Sequence, residues 1–333
     1  VALGHAGLSA AATFGPPPAP ALGGWLGLDG PGRLFLGITS LLFLVASVYA
    51  VGYLLREPPS RRPDMVEAIL FANAPQAVFV ACLLFFLGAM TLVAVSRHMG
   101  LLWVAVEATT LASAPLIYFH RHHRSLEATW KYLLVCSVGI ALALLGTFFL
   151  AVAAQSQGGG AAGLALDSLV AGAGRLHLVW LKAGFVLLLV GYGTKMGLAP
   201  MHSWLPDAHS EAPSVVSALL SGALLNCAFL GILRGQEVLA AAGQGDFGRE
   251  LLLVFGLISM GIGAFFLFGQ AEYKRLLAYS SVEHMGILAV GVGLGGGAVA
   301  GAMLHALNHS LAKAMLFLVA GNLLALYRTR RVA

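Results

Sequence analysis

Ionisable side chains inside long apolar runs are the residues on which any chemistry of this chain must rest. Lys195 follows the apolar stretch VWLKAGFVLLLVGYGT and precedes Gly197 and Pro200, so its helix is expected to break between Lys195 and Pro200. A lysine beside freed carbonyls and internal water can exchange its proton, with an affinity set by burial and by any nearby carboxylate. The alternative is a lysine that snorkels to an aqueous surface, which is the default reading for Lys182 at the start of the same run. Glu107, in LLWVAVEATTLAS, has no charged neighbour in sequence. It must be protonated, paired with a cation on another helix, or solvated by internal water, unless it serves only helix packing.

Three further segments concentrate polar groups. MHSWLPDAHSEAP places His202, Asp207, His209 and Glu211 between Pro200 and Pro213, interrupted by Pro206, and reads as a short interfacial turn that caps the broken helix and admits protons. Its spacing matches no zinc pattern such as HExxH, and no metal site is expected. LHALNHSLAKAMLF sets His305, His309 and Lys313 four residues apart on one helical face, about 6 Å per step, a separation that one or two waters bridge. Haem ligation would need a partner histidine at matching depth, and the earlier runs offer none; packing histidines are the other alternative. EYKRLLAYSSVEHMGIL opens with Lys274 and Arg275 as a basic anchor, followed by Tyr279, Ser280, Ser281, Glu283 and His284, whose hydroxyls either carry water or join helices. The cluster His120 to Arg124 reads as a solvated anchor.

These groups need helices in a bilayer to hold them. Of 333 residues, 59% are hydrophobic and only 10% charged, with a net charge of +5, against about 25% charged in soluble domains. Nine apolar runs are long enough to span: Leu34 to Leu54, Ala72 to Val95, Gly100 to Tyr118, Tyr132 to Ala153, His177 to Leu198, Pro213 to Leu233, Leu251 to Gln270, Leu276 to Leu294 and Ala298 to Leu326. The basic residues punctuate run ends instead of forming a face, which argues against nucleic acid. An orientation with Arg56, Arg61, Arg62, Arg121, Arg124, Lys131, Lys274, Arg275, Arg328, Arg330 and Arg331 inside leaves only Arg33, Arg97, Arg175, Arg234 and Arg249 outside. Cys82, Cys136 and Cys227 lie singly within apolar runs, with no CxxC pair, so no iron-sulfur, zinc or disulfide framework is expected. Residues 1–33, with GPPPAP and GGWLGLDGPG, read as an aqueous loop, and GGGAAGL at Gly158 to Leu164 as a flexible outer loop that lacks the GK[ST] of a phosphate loop. Without an initiating Met or a signal-peptide pattern the chain reads as a fragment, expected to be unstable alone.

KMGLAPMHSWLPDAHSEAP, KRLLAYSSVEHMGI and HALNHSLAKAMLF resemble the antiporter-like proton-translocating family: complex I membrane-arm subunits, Mrp cation/proton antiporters and membrane subunits of energy-converting hydrogenases. The resemblance covers about Leu34 to Leu326. SVYAVGYLLRE and HSEAPSVVSALLSGALLNCAFLGILR look most like the hydrogenase-4 component F type. It implies an all-α polytopic fold of about fourteen helices with two inverted five-helix repeats, each containing a broken helix. Residues 1–33 would then be an outer loop, 34–71 a peripheral transmembrane helix and basic inner loop, 72–234 the first repeat, and 235–333 an incomplete second repeat. It also implies roles in proton translocation for Glu107, Lys195, His305, His309 and Lys313, with Lys182, His202, Asp207, His209, Asn226, Lys274, Ser280, Ser281 and His284 as secondary relay or access residues. Asn226 departs from the lysine or histidine that several members carry. The implied function is a redox-inactive, cofactor-free proton translocator in a bacterial or archaeal inner membrane. Its partners would be other membrane-arm subunits and a peripheral redox module; the competing reading is an Mrp-type sodium/proton antiporter subunit.

Overall fold

The structure, a computed structural model, describes residues 1–16, 18–57, 62–63, 70–155 and 163–331. In chain order the helices are α1 (Ala2–Phe14), α2 (Gly30–Arg56), α3 (Gln76–Val95), α4 (Met99–Ile117), α5 (His123–Gln155), α6 (Leu166–Ala171), α7 (Leu178–Met196), α8 (Leu205–Glu211), α9 (Ser214–Leu219), α10 (Leu225–Ala241), α11 (Gly245–Leu267), α12 (Tyr273–Leu294) and α13 (Gly297–Tyr327). A two-residue ribbon pairs Arg62–Pro63 with Leu70–Phe71. Among the described residues nine helical segments are long and apolar enough to cross a membrane; α9 and α10 count as one, Ser214–Ala241, joined by a π turn at Leu220–Leu224. The architecture is that of an all-α, multi-pass membrane protein. Spanning segments must satisfy their backbone internally, which only helices or closed barrels do, so the apolar runs become helices whatever their side-chain propensity.

The most extensive helix pairings are α5 with α7 and α11 with α12. Lipid gives helices no hydrophobic reason to associate, so close backbone approach through small residues does the joining. A Cβ at Gly191 of α7 would stand 2.5 Å from the Gly139 carbonyl oxygen of α5, and one at Gly286 of α12 would stand 2.7 Å from the Gly256 carbonyl oxygen of α11.

Several sequence expectations change. Residues 2–14, read as part of a loop, form α1, which lies against α2 and sends His5 to Ser40 and Thr91, each at 2.9 Å. Thirteen residues with small side chains carry too weak a periodicity to announce a helix, and its stability comes from that packing. The sixth run extends beyond Leu233 to Ala241, so the boundary drawn at residue 234 falls inside α10, and Arg234 sits in that helix, 2% exposed. Gly158 to Gly160, within the expected GGGAAGL loop, and Arg61, expected inside, lie outside the described residues, as do Ala161 and Ala162.

Candidate functional site

The helix carrying Lys195 does break. α7 ends at Met196, and Gly197, at φ +85°, turns the chain in the left-handed conformation that glycine adopts without strain. The amides of Gly197 and Leu198 return to the Thr194 and Gly193 carbonyls at 3.2 and 2.9 Å, and Trp204 Nε1 donates to the Thr194 carbonyl at 2.8 Å. Ala199 N donates to Ser259 Oγ of α11 at 2.9 Å. The exposed ends of the broken helix are thus satisfied inside protein, the condition for irregular backbone at membrane depth.

Lys195, at 0% exposure, donates from Nζ to Thr110 Oγ1 at 2.8 Å and to Tyr132 OH at 2.6 Å, with Nζ 4.6 Å from the Tyr132 ring centroid. Thr110 Oγ1 in turn donates to Glu107 Oε2 at 3.2 Å, and Ser137 Oγ donates to Oε1 at 3.2 Å. Glu107 and Lys195 are therefore linked through one hydroxyl rather than by direct contact, as Lys195–Thr110–Glu107. On the other side Tyr132 OH meets Ser113 Oγ at 2.6 Å. Thr110, Tyr132 and Ser113 were missed in sequence; hydroxyls inside apolar runs are too common to stand out.

A second group forms where α12 and α13 meet α9 and α10. Lys313, 2% exposed, donates to the Leu277 carbonyl at 2.9 Å and to Ser280 Oγ. His305 Nε2 and His284 Nδ1 lie within hydrogen-bond distance at 3.0 Å, and the His284 ring centroid lies 5.1 Å from that of His309. His284, on the eighth run, is thus a histidine close to His305, contrary to the expectation that the earlier runs offer none, and the two rings are in hydrogen-bond contact with each other. His309 Nε2 lies 3.3 Å from the Ser221 carbonyl in the π turn, and Ser221 Oγ meets Ser281 Oγ at 2.9 Å. Asn226 donates to the Gly222 carbonyl at 2.9 Å and to Ser310 Oγ at 2.8 Å, which ties α10 to α13. A π turn loosens the regular carbonyl ladder, and His309 and Asn226 occupy carbonyls there.

α8 packs against α5 of the first group and α12 of the second. His209 is fully buried, stacks on Phe317 at 5.1 Å, and neither ring nitrogen has a hydrogen-bond partner among the described residues. Burial, reinforced by Lys274 and Lys313, pushes its pKa down to about 3. His202 is half-buried beside Phe266 and Tyr279, and burial lowers its pKa too. Asp207 pairs with Lys131 at 2.5 Å and Arg275 at 2.9 Å; Glu211 takes both bonds from Arg330 Nη1 at 2.9 and 3.0 Å, with His122 Nε2 3.5 Å away. Lys274, read as a basic anchor and a secondary relay or access residue, is 4% exposed and donates to the Ser210 and Ala212 carbonyls at 3.2 and 2.5 Å. His122 is likewise buried, and His120 bonds Tyr53 and Asn73 instead of solvent. The solvated reading fails at His122, and Lys274 is buried too, for one reason: α8 folds back over these loops and brings carboxylates and carbonyls that sequence distance concealed. Lys182 stays apart, its Nζ 5.1 Å from the Phe247 ring centroid.

At the opposite end Asp29 caps α2 and gathers Arg97 and Arg234, each at 2.6 Å. Burial alone would raise the Asp29 carboxyl, but Arg234 and Arg97 hold it below its usual value. Arg97 also pairs with Asp167. Among the described residues no group of three or more His, Cys, Asp or Glu could hold a metal ion.

A helical bundle with nine candidate spans among the described residues, a broken helix and buried lysines in hydroxyl-lined positions defines a class of membrane protein, and residues 96–332 match the family described as NADH:quinone oxidoreductase/Mrp antiporter, TM. The chain belongs to that family. It is similar to a hydrogenase-4 component F homolog of Methylacidiphilum infernorum, 39% identical over 90% of this chain and 60% of that protein. Its fold matches a chain of the membrane-bound sulfane sulfur reductase, an archaeal respiratory membrane complex, with TM-score 0.83 at 19% identity over 99% of this chain and 64% of that one. It also matches a chain of respiratory complex I from Thermus thermophilus, with TM-score 0.73 at 27% identity over 96% and 62%. The chain spans 60% of the component F homolog and 47% of the hydrogenase-4 component B of Escherichia coli, so it covers only part of the length of the curated relatives that it matches.

Proposed function

We propose that this chain is a proton-translocating, redox-inactive membrane subunit of a redox-driven complex of hydrogenase-4 or quinone-reductase type, in a bacterial or archaeal inner membrane. Its partners in this reading are other membrane-arm subunits and a peripheral redox module. The observation that carries it is the pair of buried lysines, Lys195 and Lys313, each donating to a hydroxyl on a neighbouring helix. An ammonium in a bilayer interior is costly unless it does work, and a proton is the charge that such a group can release without moving its chain. In the first group a proton leaves Lys195 for Thr110 as the Thr110 proton passes to Glu107; in the second, Lys313 exchanges with Ser280 and the histidine set. Asn226 does not titrate, so passage between the groups runs through hydroxyls such as Ser221 and Ser281 and through internal water.

The test is Lys313→Met in the assembled parent complex. Methionine keeps an unbranched chain and removes the charge, so the complex should assemble and oxidise its donor while proton uptake into vesicles falls about tenfold or more. Normal pumping would remove Lys313 from the relay. Sodium-dependent proton flux without an electron donor would instead favour the Mrp-type reading.

A further inference from the structure

Glu283 is the ionisable residue of the second group to which nothing above gives a role. It is the eleventh of the 22 residues of α12 and half-buried. α11 approaches it closely, since a Cβ on Gly263 would lie 2.9 Å from the Glu283 backbone nitrogen. A carboxylate at mid-helix in a bilayer is expensive unless a cation or a proton compensates it. One observation points to the compensating group: Lys313 Nζ donates to Ser280 Oγ, one helical turn before Glu283 on α12. No direct ion pair joins Lys313 and Glu283 among the described residues, as none joins Glu107 and Lys195.

The local arrangement repeats that of the first group. There the lysine on one helix donates to Thr110, which lies three residues from Glu107 on another; here it donates to Ser280, three residues from Glu283. At i and i+3 the two side chains of such a pair share a helix face. In both cases a hydroxyl three residues from the carboxylate takes the lysine's hydrogen bond; Thr110 also donates to Glu107 Oε2, whereas the Ser280 hydroxyl turns to the Leu277 carbonyl.

We propose that Glu283 is a second proton-carrying carboxylate, loaded from Lys313 through the Ser280 hydroxyl. In this step the Lys313 ammonium gives one proton to Ser280 Oγ as the Ser280 hydroxyl proton passes to a Glu283 oxygen. The products are a neutral amine, an unchanged serine and a neutral carboxylic acid, and charge balances within the pair. The Ser280 hydroxyl is free to turn, because its bond to the Leu277 carbonyl is long at 3.3 Å. The neutral acid then removes the cost of the mid-membrane carboxylate, so loading and discharge alternate between two states that the bilayer tolerates. This proposal rests on the proton-translocation reading and adds a residue to it.

The experiment compares Glu283→Gln, Glu283→Asp and Lys313→Met in the complete complex reconstituted in proteoliposomes. Assembly, protons moved per electron and the redox-induced infrared difference spectrum are recorded for each. Glu283→Gln is expected to assemble, to lower proton movement about tenfold or more, and to lose a protonated-carboxyl band. The magnitude follows because an opposite charge nearby changes proton affinity by roughly one to three powers of ten. Glu283→Asp should retain pumping and shift that band. Wild-type pumping and an unchanged carboxyl region in Glu283→Gln, with Lys313→Met inactive, would overturn the role of Glu283 and leave the relay reading standing. Normal pumping in Lys313→Met would sink the relay reading itself. If Glu283→Gln fails to assemble, the aspartate variant decides: an unshifted band in the assembled complex overturns the proposal.

Discussion

Replacing Thr110 by Val is the sharpest perturbation of the first group, because valine keeps the branched shape and removes only the hydroxyl. Lys195 has two hydrogen-bond acceptors, Thr110 Oγ1 at 2.8 Å and Tyr132 OH at 2.6 Å, and no exposure through which water could replace a lost one. A hydrogen bond to a charged group contributes about 1.5–3 kcal/mol. If the proton passes through that hydroxyl, losing it raises the barrier by this amount, and each ~1.4 kcal/mol is a factor of ten in rate, so translocation should slow about ten- to 150-fold. Among the described residues Glu107 then keeps its bond from Ser137, at 3.2 Å. The measurement is the initial rate of vesicle acidification by the complete complex, normalised to its amount on a native gel, with donor oxidation followed in parallel. Thr110→Ser restores the hydroxyl and should pump within about twofold of the parent, a change too small to carry even half a kcal/mol. If Thr110→Val assembles and pumps like Thr110→Ser, the hydroxyl does not lie on the path, and the chain Lys195–Thr110–Glu107 is packing alone.

Further outcomes follow from the same geometry. Gly191→Ala places a methyl 2.5 Å from a backbone oxygen of α5, so α5 and α7 must part, at a cost of about 1–3 kcal/mol seen as a lower melting temperature in detergent; Gly52→Ala, with nothing within 4 Å among the described residues, is the matched control. An unchanged melting curve for Gly191→Ala would contradict the seam. His209 has a folded pKa of about 3 against 6.5 for the free side chain, so the unfolded chain takes up the extra proton, and stability is lost as pH falls below 6.5. Between pH 6.5 and 5 that amounts to about 2 kcal/mol at ~1.4 kcal/mol per unit, and His209→Phe should flatten the slope by this share. Glu211→Gln leaves Arg330 without its carboxylate in a nearly buried site, for which a loss of about 3–5 kcal/mol is expected; limited proteolysis beyond Tyr327 should accelerate, and an unaltered digestion rate would count against the clamp.

The amino-acid sequence by itself determined the spans and the break. Membrane helices satisfy their hydrogen bonds locally, so a run of apolar residues near Leu178 or Tyr273 has one available structure, and Gly197 followed by Pro200 ends it wherever it is placed. Lys195, Glu107, His309 and Lys313 were legible because charge among apolar neighbours is rare enough to be noticed. Only tertiary structure decided what they touch. Thr110 lies 85 residues from Lys195, and Ser280 lies 33 from Lys313. A hydroxyl in a membrane helix looks the same in sequence whether it faces lipid, its own i−4 carbonyl or a buried ammonium. The burial of Lys274 and His122 was hidden for a related reason. Both sit at run ends, where cations normally meet water, and only the return of α8 across that end replaces water with Glu211 and the Ser210 and Ala212 carbonyls. Charge type and helix period are written along the chain, whereas the facing of one helix toward another is set by the meeting of small residues such as Gly139 and Gly191, and that meeting fixes which polar groups become partners.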